Sequence, residues 1–172
     1  MASDQKAKLV GAINRHEWFH VRPYAAPGCY TERGRFYAAT YCKAAEYGKP
    51  FLYPDRVFVA NPLIGEDADT DFALFGHHLK SRGTYRGLCR NEATRKRAAL
   101  RQGFDSILLL PPGGIVRFVK TGRIPAKAEL CLVDLTRSEG PATSIGDQQQ
   151  LNATIFCTQP PNLALSTQRA AL

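Results

Sequence analysis

Apolar positions in the first part of the chain follow two rhythms. Leu9, Val10 and Ile13 stand at helical spacing behind Ser3 and Asp4, which predicts a short helix over 4–13 capped by one of those two polar residues. From Trp18 to Arg22 the pattern turns aromatic and β-branched, the composition of a strand, and Pro23 closes it. Residues 24–33 hold Pro27 and Gly28 and read as a loop. Gly34 to Ala38 forms a second short apolar run, and Thr40 is placed to cap a helix reaching about Tyr47.

Further along, Arg56 to Ala60 reads as a strand stopped by Asn61 and Pro62. Residues 65–70 are acidic and turn-like, and 71–80 suit a helix that Gly76 weakens. Asn91 is placed to cap a helix ending at Gly103, a residue fitted to the left-handed C-terminal position. Asp105 to Leu110 is an apolar strand. Pro111 to Gly114 reads as a turn with no following helix, and Ile115 to Val119 as another strand. Strands are also expected at Glu129 to Leu135 and Ala153 to Cys157. Short strands mixed with a few helices predict an α+β fold. One domain over 1–160 is expected, with a polar, helix-poor tail over 161–172 expected to be disordered.

Composition narrows the function classes. At 172 residues the chain fits one domain with its own core. Hydrophobic residues at 44% and charged residues at 22% are those of a soluble globular protein. No apolar run reaches the roughly 20 residues that span a bilayer, so no membrane partner is expected. Residues 1–9 lack the apolar stretch of a signal peptide. The expected location is cytoplasmic, or inside a target cell reached without a classical signal. The five cysteines are odd in number and contain no Cys-x-x-Cys pair, which argues against a zinc knuckle or disulfide framework. They read as mostly buried thiols in a reducing compartment. His77 and His78 lack partners at ligand spacing, and no metal site is expected. Phosphate-cradling glycine loops and the Gly-x-Ser-x-Gly elbow are absent, while a Cys–His nucleophile pair stays open.

The net charge of +8 favours an acidic partner. Much of it lies in Lys80, Arg82, Arg86, Arg90, Arg95, Lys96, Arg97 and Arg101, with Glu92 the one acid among them and Tyr85 nearby. Nucleic acid would use such charge on its phosphates and Tyr85 on a base. A solvated helix face, or a surface for a protein target, is the plainer reading.

The strongest local signal is the run from Gly34 to Tyr47, through Phe36, Tyr37, Ala38, Thr40, Lys43 and Ala45. Aromatics at a strand end and a helix end can converge on one flat ligand, with Ala38 and Ala45 allowing close approach. Each stacked aromatic pair contributes about 0.5–1.5 kcal/mol. A plain core strand and core helix would show the same aromatics.

This run resembles the Gly-x-Tyr-Phe-Ala stretch and Lys-x-Ala-x-Tyr helix of poly(ADP-ribose) polymerase-like transferases, in the ADP-ribosyltransferase superfamily. The resemblance implies that Gly34, Phe36, Ala38 and Tyr47 border the nicotinamide of NAD. Phe36 falls where the family has its triad tyrosine and lacks the hydroxyl; Tyr37 is the alternative in a register shifted by one. The family's ribose-binding histidine matches His20, with Arg22 on the same strand face as the toxin-type alternative and His16 as a second candidate. Val57 to Leu63 and Leu100 to Ile107 resemble scaffold segments of bacterial members. Ala128 to Asp134 resembles the strand that carries the catalytic glutamate, which makes Glu129 the catalytic candidate beside His20, with Glu139 as runner-up. Lys127 stands where arginine-modifying toxins carry an acidic or amide residue, which argues against that subclass.

The resemblance implies two packed, mainly antiparallel sheets forming an NAD cleft, flanked by short helices. It implies a mono-ADP-ribosyltransferase of the kind found among bacterial toxins, effectors and phage counter-defence proteins. NAD is then the substrate, no metal is needed, and the acceptor is a protein target or, through Lys80 to Arg101, nucleic acid. The alternatives are an NAD glycohydrolase and a catalytically inactive binding module on the same scaffold.

Overall fold

In the computed structural model of the chain, residues 3–20, 32–48, 50–80 and 83–137 are described, and their strands join into a single sheet. The strands are β1 (Glu17–His20), β2 (Arg35–Ala38), β3 (Asp55–Arg56), β4 (Pro62–Gly65), β5 (Ser106–Leu109) and β6 (Glu129–Leu132). Their order across the sheet is β3-β1-β2-β6-β5-β4. Neighbours are antiparallel except β4 and β5, which are parallel. A parallel pair needs a long crossover. Two helices supply it here, α3 (Asp67–Phe75) and α4 (Tyr85–Arg101). The described residues also hold the helices α1 (Ser3–Arg15), α2 (Tyr41–Ala45) and α5 (Gly114–Thr121) and a 3-10 turn at Leu135–Arg137.

The expectation of two packed antiparallel sheets is therefore wrong: the sheet is mixed, open and single. The physical reason is that helices cover both of its faces. On one face Leu9 and Ile13 of α1 and Phe118 of α5 pack with Trp18, Tyr37, Leu108, Leu130 and Leu132. On the other, Leu74 of α3 and Ala98 and Ala99 of α4 pack with Ile107 and Cys131, joined by the partly buried Phe36 and Leu109. Neither face is left for a second sheet to cover.

Several elements differ from the pattern reading. Val57 and Val59 are buried, yet 57–60 is no strand. Side chains take the hydrogen bonds a ladder would need: Ala60 N and Asn61 N donate to Asp105 Oδ2 at 2.6 and 2.9 Å, and Val59 N to Asn14 Oδ1 at 2.9 Å. Pro62 opens β4 instead of ending its predecessor, since a strand's first position needs no ladder N–H. Helix α3 starts before the expected position 71 and stops at Gly76, whose φ of 72° ends it in the left-handed region. Helix α4 starts at Thr84, whose Oγ1 accepts from Gly87 N at 3.1 Å, so Asn91 lies inside it. The strand expected at 115–119 is helix α5. Ile115 and Phe118 turn inward while Val116 and Val119 stay exposed, the spacing of a helix. The strand expected at 153–157 and the tail lie outside the described residues.

Candidate functional site

Register decides which side chains meet. Residues paired across neighbouring strands share a face, so Ala38, Glu129 and Leu109 form one row and Phe36, Cys131 and Ile107 the next. Over these rows lies α4, which brings Tyr85, Leu88, Glu92, Arg95 and Lys96 to the lining of a cavity of about 550 Å³.

Glu129 opens β6 on this face. Its Oε1 accepts a hydrogen bond from the Tyr47 hydroxyl and lies 3.1 Å from Lys43 Nζ. Both partners depend on the cap of α2, where Thr40 Oγ1 accepts from Lys43 N at 3.2 Å. Lys43 also binds Glu46 at 2.7 Å and stands 4.9 Å from the centroid of the Tyr47 ring. Burial works against the Lys43 charge, but bonds to Glu46, Tyr47 and Glu129 outweigh it and hold the ammonium pKa above its usual range. Burial, and then the bond to Glu129, push the Tyr47 phenol up. At neutral pH the carboxylate therefore faces a charged ammonium and a neutral phenol, both donors.

Deeper in the cleft, Arg33 crosses from the start of β2 to α4. Its Nη2 lies 2.5 Å from Glu92 Oε2, and Nη1 donates to the Tyr85 hydroxyl at 3.2 Å. The guanidinium also lies 5.9 Å from the Phe36 ring centroid and 5.7 Å from that of Tyr85. Burial raises the Glu92 carboxyl pKa, with Arg33 acting against the rise. Arg95 is forked on Asp71, Nε to Oδ1 at 2.6 Å and Nη2 to Oδ2 at 3.1 Å, which ties α4 to α3. Burial pushes the Cys131 thiol far up, so it stays protonated at neutral pH and supplies no nucleophile.

Of the expected site residues, Phe36, Ala38, Tyr47 and Glu129 come together around the cleft. Gly34 joins them for a backbone reason. Its φ is 94°, and a Cβ there would sit 2.6 Å from Leu132 O and 2.7 Å from Cys131 Sγ. His20 and Tyr37 border the cavity but pair with each other on the opposite face of the sheet. Tyr37 is 5% exposed and belongs to the core. The His20 ring stacks on Phe51 at 5.8 Å, and its Nδ1 lies 2.8 Å from Phe36 O. Burial lowers its pKa, helped by Arg35 and opposed by the Phe36 carbonyl and Asp55. Strand alternation sets the His20 side chain on the face opposite Glu129, although both residues border the cavity, and Phe36 rather than Tyr37 shares the glutamate's face. His16 Nε2 is 2.9 Å from Ala39 O and its ring meets Trp18 edge-on, a packing role. Arg22 and Glu139 lie outside the described residues.

Sequence reading left Lys43, Arg33 and Glu92 out of the site. Lys43 carried a signal, since it precedes Tyr47 by four residues and so shares its side of the α2 turn. Arg33 and Glu92 are 59 residues apart and carried none. Among the described cysteines Cys131 is buried, Cys89 partly buried and Cys42 exposed, while Cys29 and Cys157, also expected to be mostly buried thiols, lie outside the described residues. No group of three His, Cys, Asp or Glu among the described residues could hold a metal ion. No described helix is long and apolar enough to cross a membrane. Comparison with protein-family models, curated proteins and solved structures gave no match to this chain.

Proposed function

We propose that the cleft binds NAD and that the chain is a mono-ADP-ribosyltransferase with Glu129 as its catalytic carboxylate. The observation that carries this reading is the setting of Glu129: a carboxylate at a cleft, fixed by Tyr47 and Lys43, on the same face as Phe36. Two further observations support it. The volume of about 550 Å³ lies within the range of small-molecule sites. The Phe36 and Tyr47 rings each have a cation near their face, Arg33 and Lys43, and a flat pyridinium satisfies the same attraction.

NAD supplies an N-glycosidic bond to a cationic leaving group: as it breaks, its electron pair goes to nicotinamide, and the acceptor bonds the anomeric carbon and gives up a proton. Glu129 stabilises the positive charge that grows on the ribose, the kind of preorganised electrostatic help that is often the largest catalytic contribution. Tyr47 and Lys43 hold the carboxylate in place. Phe36 stacks but donates no hydrogen bond. His20, with its ring on the other face, has no reacting role in this scheme.

The test incubates the full chain with NAD labelled in its adenylate half, together with cell extract. Released nicotinamide and labelled macromolecule are expected. Free ADP-ribose alone would make water the acceptor and the chain a glycohydrolase. The reading fails if no nicotinamide is released and calorimetry detects no NAD binding.

A further inference from the structure

Helix α4 sorts its charges by side. Its acid, Glu92, is paired with Arg33, and Arg95 is paired with Asp71 and Asp67. Lys96, 8% exposed, also turns to the cleft side. The outer side carries Arg86, Arg90, Arg97 and Arg101, all exposed. At 100° per residue these four fall within a sector about 60° wide, and they run over about 22 Å of helix. None is ion-paired with a described residue; Arg97 Nη2 reaches Thr94 Oγ1 at 3.5 Å. Like charges four apart, as at 86/90 and 97/101, destabilise a helix. The stripe is thus held against the helix's own local stability.

We infer that this outer face of α4 is a docking surface for the phosphate backbone of nucleic acid. Charge complementarity selects the partner. A straight row of guanidiniums matches a continuous line of fixed negative charge, and each guanidinium can fork onto a phosphate. The row's length corresponds to about six base pairs of duplex. A lipid surface fits less well, because a helix lying on a membrane buries an apolar face beside its cations. On α4, Ala98 and Ala99 pack on the sheet and Tyr85 and Leu88 line the cleft, so Leu100 is the large exposed apolar residue left beside the stripe, too little for such a face. The inference does not rest on the NAD reading and is tested without NAD.

The experiment measures fluorescence anisotropy of the full chain with a labelled duplex DNA of about 20 base pairs and a single-stranded RNA of equal length, across rising salt. Binding to at least one is expected, with log K falling against log salt at a slope of roughly −3 to −4, for four phosphate contacts. Joint substitution R86Q, R90Q, R97Q and R101Q should weaken low-salt binding at least about tenfold and flatten the slope. R97Q with R101Q should remove about half of the slope, and serves if the fourfold variant fails to fold. A control removing equal charge elsewhere, K8Q, R15Q, R117Q and K120Q, should keep most of the affinity. The inference is overturned if wild type fails to bind at the lowest salt. It is also overturned if folded stripe variants bind like wild type, if the control loses as much, or if phosphatidylserine vesicles capture the chain in preference to either nucleic acid.

Discussion

Glu129 and Leu130 are neighbours on β6, yet they belong to two different halves of the molecule. Leu130 points to a face where Trp18, Phe118, Ile13 and Leu108 are all fully buried. Glu129 points to a face whose buried residues are mostly small or medium, such as Ala98, Ala99, Ile107 and Cys131, and whose centre is a cleft with paired charges. Its own side chain is 25% exposed. Large side chains fill the layer against one face of the sheet; small ones on the other leave room for a ligand there. Stability and chemistry are thereby separated by the thickness of one sheet.

The sharpest way to break this contrast is Trp18→Ala. The substitution opens a cavity in the closed face and removes the bond from Nε1 to Ile13 O. A loss of about 3–5 kcal/mol is expected in urea unfolding. Phe36→Ala, on the cleft face and only partly buried, should cost distinctly less. Equal losses would mean that the two faces share the load.

Next in size is Glu129→Gln. The change is nearly isosteric and removes the charge. NAD turnover should fall by about 10²–10³ while the urea midpoint stays close to wild type. Full activity in this variant would remove Glu129 from the reaction. A matched Leu130→Ala variant should do the reverse, unfolding more easily by about 2–5 kcal/mol while its folded fraction stays active.

The same two faces explain what the sequence could and could not disclose. Helix α1, the Thr40 cap and strands β2, β5 and β6 are readable because caps and apolar spacing act over a few residues. Strand pairing acts over the whole chain: nothing local says that β2 pairs with β6, nearly a hundred residues later, or that helices cover both sides. Ile115 to Val119 fits either period because so short an apolar run cannot separate helix from strand. The 57–60 segment misleads because the group that redirects it, Asp105, lies elsewhere in the chain. At the site, Phe36, Tyr47 and Glu129 were readable as residue types in order. Which face each would take was not, because a slip of one residue in a strand turns every side chain over. His20 shows the consequence: a correct strand with its ring on the far side of the sheet.

That placement makes His20 the subtlest test of the contrast. Burial is the main cause of its lowered pKa, aided by the nearby Arg35 and resisted by the Phe36 carbonyl and Asp55. The fold therefore favours the neutral ring, while the unfolded chain takes up a proton near 6.5. Above that pH both states are neutral and the contribution to stability is complete. As the pH falls below it, the unfolded state binds its proton first, so stability declines until the folded ring also titrates. Glu92, across the sheet, behaves oppositely: its folded pKa is raised above 4.5, so the folded state holds the proton more tightly and this contribution is lost as pH rises through the folded pKa. Urea midpoints measured from pH 7.5 down to pH 5 should fall for wild type and for Glu92→Gln, and flatten for His20→Gln. If His20→Gln keeps the wild-type slope, the ring is not held neutral by the closed face. If Glu92→Gln removes the slope instead, the acid sensitivity belongs to the cleft and the division between the two faces fails at this point.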